Sequence, residues 1–481
     1  MLRKVLGIVC ACILAAGLTV GCGATGKSSE SADTGGAQEN AAVISEAAET
    51  QKDTVQSEKS GDSSSEEASS QENNSVMSRK AEGQTIVVWG WDLPEFNKKI
   101  EDYVKEASGV TVNGQTMARE DEVSKLTVAA ATGNGLPDGF KLGNEDIPRL
   151  VAQNAIRDIT DLVEPYKDCL PQVAWDMVTY EGKIWGIPAN SPAGGMFYRY
   201  DVLEKYGINP EELTTWDKWL EAGKKVVEES NGEVMWFNAP KNKVGVPLDM
   251  TIFQQYGAQI LNSDHKVAIN SQNYKDALSL LQEIRDAKIS APIDDWSAPW
   301  YQSMKDGTVA CYGNGTWFVQ TLIQQAPDTL GKWYFTPFPA VEEGGDRYPN
   351  FGSTACFISS QTKNVDAAFE WCKAWTLDEK GSLEIGLKEL GVSVVSNAAL
   401  ENEYVNQPHE FFAKDQAYWK LATQAFSNST YVPPFFADSS EADSIWQRYY
   451  EQWWLGKMDA DTALSSAEEV IRIVVVIQKH L

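Results

Sequence analysis

The stretch Thr85-Ile-Val-Val-Trp-Gly-Trp-Asp92 decides the fold class of this chain. Its first five residues are β-branched or aromatic, which predicts a short buried strand. A second short strand, Gly109-Val-Thr-Val112, is expected after an intervening helix. Strand, helix and strand in this order predict a βαβ unit with parallel strands. The apolar face of the helix is predicted at Phe96, Ile100, Tyr103, Val104 and Ala107.

The same alternation continues along the chain. Amphipathic helices are predicted around 121–131, 147–155, 216–228, 274–287 and 462–481, and strand-like runs at 308–312 and 355–358. This rhythm predicts α/β architecture with largely parallel sheets. The part of the chain that follows the first predicted strand, about 400 residues, exceeds the usual size of one hydrophobic core, so two lobes are expected.

The composition of the 481-residue chain disfavours several classes of function. Its 68 acidic and 41 basic residues leave a formal net charge of −27. Nucleic-acid binding is not expected, because affinity for DNA comes largely from clustered Lys and Arg on phosphates. The same charge disfavours docking on anionic lipid. The three histidines, His265, His409 and His480, are too few and too scattered for most metal sites, so no metal and no cofactor are expected.

The N-terminus is typical of an exported lipoprotein. Arg3 and Lys4 precede an apolar run, Val5–Val20, which is short for a membrane span and fits a cleaved signal peptide. Gly21-Cys22 resembles a lipobox, so residues 1–21 are predicted to be removed and Cys22 to be lipidated. The protein is then expected at the outer face of the cytoplasmic membrane of a single-membrane bacterium, attached through the lipid alone. An ordinary secretory signal with a chance cysteine is the alternative.

Residues 22–83 are predicted to form a tether. They contain no aromatic residue and include polar runs such as Asp62-Ser-Ser-Ser-Glu-Glu67. This composition cannot bury enough apolar surface to offset chain entropy, so the segment is expected to be disordered. A charged linker of this kind holds the following domain away from the membrane.

Several motifs follow Thr85 in a characteristic order. Together they resemble the extracellular solute-binding protein family of ABC sugar importers, which includes the maltose- and multiple-sugar-binding lipoproteins. Each motif alone is loose, and their shared order carries the resemblance. The motifs are Ile86-Val-Val-Trp-Gly-Trp-Asp92, Ile147-Pro-Arg-Leu-Val-Ala-Gln-Asn-Ala-Ile-Arg-Asp158, Tyr180-Glu-Gly-Lys-Ile-Trp-Gly-Ile-Pro188, Phe197-Tyr-Arg-Tyr-Asp201, Thr215-Trp-Asp217, Cys311-Tyr-Gly-Asn-Gly-Thr-Trp317 and Phe335-Thr-Pro-Phe-Pro339.

The resemblance implies a two-lobed α/β fold of the periplasmic-binding-protein type, with a ligand cleft between lobes joined by several hinge crossovers. The first lobe is expected to hold residues 84–188 and 344–376, and the second lobe residues 193–338 and 377–481. The resemblance also implies a monomeric binding protein, not an enzyme, that captures a carbohydrate, expected to be an oligosaccharide. Closure of the lobes around it would present one surface to the membrane permease subunits of an ABC transporter.

A sugar-binding cleft needs polar side chains for the hydroxyls and aromatic planes for the C–H faces. Trp91 and Asp92 follow the first predicted strand, at the edge where open α/β sheets bind ligands. A helix N-cap is an equally good role for Asp92. Trp317 is expected to stack on a sugar ring beside Asn314. The other candidates are Glu145, for which a solvated loop position is the alternative, Trp236, Trp296, Trp300 and Tyr431.

Other functions remain open from the residues alone. The chain lacks a nucleophile elbow, a P-loop, an HExxH motif and an EF-hand loop, which disfavours an enzyme, although a pair of carboxylates could hydrolyse a glycoside. A sensory sugar-binding protein is the nearer alternative, and a polyamine, peptide or metal ligand is a further one. The cysteines Cys169, Cys311, Cys356 and Cys372 lack zinc-ligand spacing. Core packing is expected for Cys372, and a disulfide among the four stays open.

Overall fold

The computed structural model of the chain describes residues 76–92, 94–241, 246–393, 395–429 and 431–478. The predicted signal peptide, Cys22 and the tether as far as residue 75 lie outside these ranges. Within the described ranges, no helix is both long and apolar enough to cross a membrane.

Strands and helices alternate through most of the described chain. The strands are β1 (Thr85–Gly90), β2 (Thr111–Thr116), β3 (Gly139–Gly143), β4 (Thr179–Tyr180), β5 (Lys183–Ile184), β6 (Ile187–Pro188), β7 (Gly194–Arg199), β8 (Met235–Asn238), β9 (Ser290–Ala291), β10 (Val309–Gly315), β11 (Trp333–Thr336) and β12 (Thr354–Ile358). The α-helices are α1 (Pro94–Ser108), α2 (Arg119–Thr132), α3 (Ile147–Ala152), α4 (Thr160–Val163), α5 (Gln172–Asp176), α6 (Tyr200–Lys205), α7 (Trp216–Glu229), α8 (Val246–Gln255), α9 (Gln272–Asp286), α10 (Ala298–Asp306), α11 (Phe318–Gln325), α12 (Val365–Thr376), α13 (Asn397–Leu400), α14 (Tyr418–Asn428), α15 (Ser439–Trp454) and α16 (Ala460–Gln478). A π-helical segment, Lys380–Glu389, follows α12.

The predicted βαβ unit is confirmed as β1, α1 and β2, and β1 pairs with β2 in parallel. Four predicted positions of the α1 face, Phe96, Ile100, Tyr103 and Val104, are buried. This face packs on the sheet because its apolar side chains recur every three or four residues, which places them on one side of the helix.

Two separate sheets confirm the two-lobed fold. The first has the strand order β2-β1-β3-β12-β6, and the second has the order β11-β7-β10-β8-β9. The chain passes from the first sheet to the second between β6 and β7, and it returns between β11 and β12. These two connections are the hinge crossovers that bring the lobes together over one cleft.

The prediction of largely parallel sheets is wrong at the crossovers. Parallel pairing joins β1 to β2 and β3, and β8 to β9 and β10. Antiparallel pairing joins β7 to β10 and β11, and β12 to β3 and β6. Every antiparallel pair of the two sheets includes a strand that flanks a crossover. Neighbouring strands run parallel when a crossover helix between them carries the chain back to the same end of the sheet. A strand that enters from the other lobe has no such helix before it, so it can pair in the antiparallel direction.

The segment after α12 contributes to hydrophobic cores in both lobes. Leu377, Ile385 and Leu390 belong to the core of the first lobe, whereas Leu383 and Leu387 belong to that of the second. The π-helical segment therefore lies between the lobes. The expected assignment of residues 377–481 to the second lobe does not describe this segment.

The last residues of the predicted tether pack on the first lobe. The backbone N–H of Ser78 donates to Glu370 Oε2 at 2.9 Å, and Lys373 Nζ donates to the carbonyl of Val76 at 2.8 Å. Ala81 is only 1% exposed. The expectation of disorder as far as residue 83 is therefore wrong for residues 76–83. Composition alone missed this docking because its partners on α12 are almost 300 residues away.

The four cysteines of the globular part are free thiols in the structure. Cys311, Cys356 and Cys372 are buried, and Cys169 is half-buried. Cys372 is fully enclosed in the core of the first lobe, which confirms its predicted packing role.

Candidate functional site

A cleft of about 570 Å³ opens between the two lobes. The first lobe contributes the ends of β1 and β3 and the start of α2. The second lobe contributes the loop before α10, the turn before α11 and α11 itself. Its lining is Trp91, Asp92, Phe96, Arg119, Gly143, Glu145, Asn190, Trp296, Tyr301, Trp317, Gln320, Thr321, Gln324, Gln325, Phe351, Gly352, Ser353 and Thr354.

The wall of the first lobe carries an aromatic side chain and a group of charges. Trp91 and Asp92 follow β1 directly, and Glu145 lies just beyond β3. Because β1 and β3 are parallel neighbours, their carboxyl ends share one edge of the sheet. The structure therefore brings these three predicted residues together in the cleft.

Arg119, which no sequence motif marked, organises this wall. Its Nη2 lies 2.9 Å from Glu145 Oε1 and 3.0 Å from Asp146 Oδ2. Its guanidinium also lies 5.9 Å from the centre of the Trp91 ring. The only sequence signal was a basic residue at the start of a predicted helix. The guanidinium therefore holds the acidic loop after β3 against the aromatic side of the cleft.

Asp92 forms a second ion pair on the same wall. Lys141 Nζ lies 2.6 Å from Asp92 Oδ2, and the Lys141 side chain is 5% exposed. The Lys141 ammonium also lies 3.6 Å from the centre of the Trp375 ring. This buried lysine anchors the Asp92 carboxylate at the edge of the cleft.

The carboxyl of Glu145 is easier to protonate than an ordinary glutamate. Burial raises its pKa, and the neighbouring charge of Asp146 adds to this effect. Arg119 opposes it through its charge and its hydrogen bond. Glu145 can therefore accept hydrogen bonds while its charge is largely compensated.

Trp317 forms part of the opposite wall, between β10 and α11. A Cβ atom added to Gly315 would lie 2.2 Å from the Trp317 ring, so glycine is required where the indole folds over the end of the strand. The ring is half-buried and meets Phe351 of the return crossover edge-on, with centroids 6.4 Å apart. Along α11, the polar side chains that reach the cleft are Gln320, Thr321, Gln324 and Gln325.

Trp296 projects into the cleft from a strained backbone. Its φ angle is +62°, which is uncommon for a bulky residue, and 58% of its surface is exposed. Asn238 Nδ2 donates to Asp295 Oδ1 at 2.7 Å, which fixes the loop on β8. Strain that neighbouring contacts impose on a cleft residue is a common feature of ligand sites.

Four predicted site residues lie elsewhere, and their assignment is corrected. Trp236 and Trp300 are 0% and 1% exposed and belong to the cores of the second lobe. Asn314 is 7% exposed, and its Oδ1 accepts a hydrogen bond from the backbone of Gly315. Tyr431 lies outside the lining of the cleft, where its hydroxyl accepts from Gln259 Nε2.

The two buried tryptophans are core residues for different reasons. Trp236 lies within β8, where one side of the strand faces α7, and its ring packs on Trp219 with centroids 5.8 Å apart. Trp300 lies in the first turn of α10, on the buried face that it shares with Ser303 and Met304, whereas Trp296 lies in the loop before the helix. The elements that cover these positions thus decided which rings became core.

Several lining residues were not predicted. Asn190 and Phe351 carry no motif of their own and reach the cleft on the two crossovers, whereas Tyr301 reaches it from α10. The polar side chains of α11 could have been recognised from the sequence, because residues 320, 321, 324 and 325 share one helical face and carry amides or hydroxyls. Among the described residues, no group of three or more His, Cys, Asp or Glu side chains could hold a metal ion.

Comparison with known proteins agrees with this architecture. The family model described as "Bacterial extracellular solute-binding protein" matches residues 98–413. The chain is 26% identical over 330 residues to the arabinooligosaccharide-binding protein of Halalkalibacterium halodurans, covering 64% of this chain and 71% of the relative. It is 27% identical over 359 residues to the lactose-binding protein of Rhizobium radiobacter, covering 72% and 82%.

Solved structures share the fold. The ABC transporter associated binding protein from B. animalis subsp. lactis, in complex with β-1,6-galactobiose, matches with a TM-score of 0.71 and 21% identity, covering 82% of this chain and 98% of that protein. Maltose-bound MalE3 of T. maritima matches with a TM-score of 0.67 and 19% identity, covering 81% and 99%. At these identities the likeness concerns the fold.

Proposed function

The chain belongs to the bacterial extracellular solute-binding protein family, and on that premise we propose that it captures an oligosaccharide in the cleft between its lobes. The captured sugar would then be delivered to the membrane permease subunits of an ABC transporter. The names of the relatives support the ligand class, since they bind arabinooligosaccharides and lactose.

One observation carries the proposal: aromatic rings line both walls of one cleft, beside uncharged hydrogen-bonding side chains. Trp91 lies on the first-lobe wall, and Trp296 and Trp317 lie on the second. Aromatic planes desolvate the C–H faces of sugar rings, while the amides of α11 can exchange hydrogen bonds with hydroxyls. Rings on opposite walls suit a ligand with more than one sugar unit.

The charges of the cleft favour a neutral ligand. Asp92 is paired with Lys141, and Glu145 is paired with Arg119. A polyamine would need carboxylates free to pair with its ammonium groups, and these two are already engaged. A neutral sugar can accept hydrogen bonds from Arg119 and donate to Glu145 without leaving a charge unpaired.

The proposal extends to the place of action. Lipidated Cys22 would hold a monomeric protein at the outer face of the cytoplasmic membrane, and the segment after it would give the domain reach to the permease. The apolar run Val5–Val20 before Cys22 supports this assignment. Mass analysis of the mature N-terminus tests it, because an unlipidated terminus at another residue would contradict it.

Titration calorimetry and thermal shift with lactose, arabinotriose, maltose and putrescine test the ligand class. We expect one of the sugars to bind and raise the melting temperature in proportion to the logarithm of its excess over the dissociation constant, and putrescine to have no effect. Recovery of the intact sugar separates binding from glycoside hydrolysis. Binding of putrescine alone would overturn the assignment.

A further inference from the structure

Glu122 is a buried carboxyl group behind the first-lobe wall of the cleft. It is 0% exposed and lies on the core-facing stripe of α2 together with Leu126 and Ala129. Neither of its carboxyl oxygens has a hydrogen-bond partner. An ionised carboxylate is costly in such a place, so the side chain is held in its neutral form.

Four charged groups act on Glu122 from the elements around it. Asp92 follows β1, Lys141 lies in β3, Asp146 follows β3, and Arg119 lies on the same helix. Both cations are already used: Lys141 pairs with Asp92 at 2.6 Å, and Arg119 pairs with Asp146 at 3.0 Å and with Glu145 at 2.9 Å. A further carboxylate would compete for cations that hold the wall of the cleft together.

We propose that Glu122 is a positioning residue whose proton keeps Arg119 and Lys141 on the cleft-facing carboxylates, so that loss of this proton disrupts the wall and weakens ligand binding. Ionised Glu122 would draw Arg119, three residues before it on α2, away from Glu145. The inference rests on the proposed function of the same cleft, and it adds proton-linked control of binding.

The pKa of Glu122 sets the pH range in which ligand binding is expected to change. Burial, the largest effect, raises the pKa of Glu122, and the charges of Asp92 and Asp146 raise it as well, whereas Lys141 and Arg119 lower it. Together these effects move the pKa from 4.5 to about 8. Below this pH the side chain stays neutral and the wall is intact. Above this pH the free protein releases the Glu122 proton, and ligand binding requires that the proton be taken up again. Affinity therefore falls as pH rises.

Titration calorimetry on the full chain with lactose and arabinotriose, from about pH 6 to about pH 9.5, tests the proposal. For wild type we expect affinity to fall above about pH 8, by up to about tenfold for each pH unit. Glu122→Gln preserves the shape of the neutral side chain and should bind like wild type at about pH 6 with no alkaline fall. Glu120→Gln, an exposed neighbour on α2, is the matched control and should keep the wild-type profile.

Melting without sugar gives a second, independent readout. Wild type and Glu122→Gln should melt alike near pH 4.5, and wild type should melt progressively lower than the variant as pH rises toward about 8. Wild type loses stability as pH rises because the unfolded chain releases the Glu122 proton near pH 4.5, whereas the folded chain retains it until about pH 8.

The outcomes separate this inference from the proposed function. A flat wild-type affinity profile, or an alkaline fall that persists in Glu122→Gln, overturns the inference and leaves sugar binding intact. Failure of wild type to bind lactose, arabinotriose or maltose at about pH 6 overturns sugar binding and proton-linked control together. Identical melting of both proteins across the pH range contradicts a buried neutral Glu122.

Discussion

The indole of Trp296, exposed in the cleft, packs on the buried indole of Trp300 with ring centroids 4.9 Å apart and an interplanar angle of 56°. Trp300 is 1% exposed, whereas Trp296 is 58% exposed. The buried ring thus supports the exposed one, and the backbone of Trp296 is held at a φ of +62°. This pair gives the second-lobe wall a rigid aromatic surface.

Replacement of Trp296 should separate ligand binding from stability. In Trp296→Gly we expect affinity for the bound sugar to fall about thirtyfold, the loss of a contact worth about 2 kcal/mol. The melting temperature should stay the same or rise, because glycine adopts a positive φ without the strain that a tryptophan bears. Calorimetry and thermal melting check both effects. A much lower melting temperature with unchanged affinity would show that Trp296 is a structural residue.

Trp317 and Trp236 provide a matched comparison of a cleft ring with a core ring. Trp317→Ala should weaken sugar binding by about thirtyfold or more while unfolding stays cooperative. Trp236→Ala should cost about 3–5 kcal/mol of stability, because it leaves a cavity between β8 and α7. Denaturant unfolding and calorimetry on both variants check this. If Trp317→Ala binds as tightly as wild type, the second-lobe wall has been assigned to the wrong ring.

Two N-terminal truncations should differ sharply in stability. A protein that begins at residue 76 should unfold like the full mature chain, because all contacts of the docked segment remain. One that begins at residue 84 loses the Ser78 and Val76 contacts to Glu370 and Lys373, whose side chains are 4% and 1% exposed. Leaving buried polar groups without these partners costs about 1–3 kcal/mol each. Equal midpoints of denaturant unfolding for the two truncations would contradict a stabilising role for residues 76–83.

Stability should also fall in mild acid because of His409. Burial among aromatic rings lowers its pKa to about 4, and its Nδ1 accepts a hydrogen bond from the backbone N–H of Phe411 at 3.3 Å. The folded chain holds His409 neutral, whereas the unfolded chain takes up a proton below about pH 6.5, so this stability is present above about pH 6.5 and is lost as pH falls toward about 4. The free energy of unfolding of His409→Gln should change less than that of wild type over this range. Parallel pH profiles for the two proteins would exclude His409 as the cause.

Local pattern was enough to predict the βαβ unit, the buried face of α1 and the position of Trp91 and Asp92 at the end of β1. These features depend on near-neighbour periodicity, and the carboxyl edge of a parallel strand is a ligand edge whatever the rest of the chain does. The length of the chain predicted two lobes, and the order of the family motifs added the cleft and the crossovers between them. The pairing of Arg119 with Glu145 could not be predicted, because the two residues are 26 positions apart and lie on different elements, the start of α2 and the segment after β3.

Tertiary structure alone decided which tryptophans face the cleft. Trp236 and Trp317 both lie near the end of a strand, yet Trp236 points into the core because α7 covers that side of β8, and Trp317 reaches the cleft because the chain turns at Gly315. Residues 76–83 have a polar composition that favours disorder, but they become ordered because α12 offers buried charged partners from the far end of the chain. Composition and periodicity report what a segment can bury, whereas its neighbours in space determine whether a surface exists to bury it against.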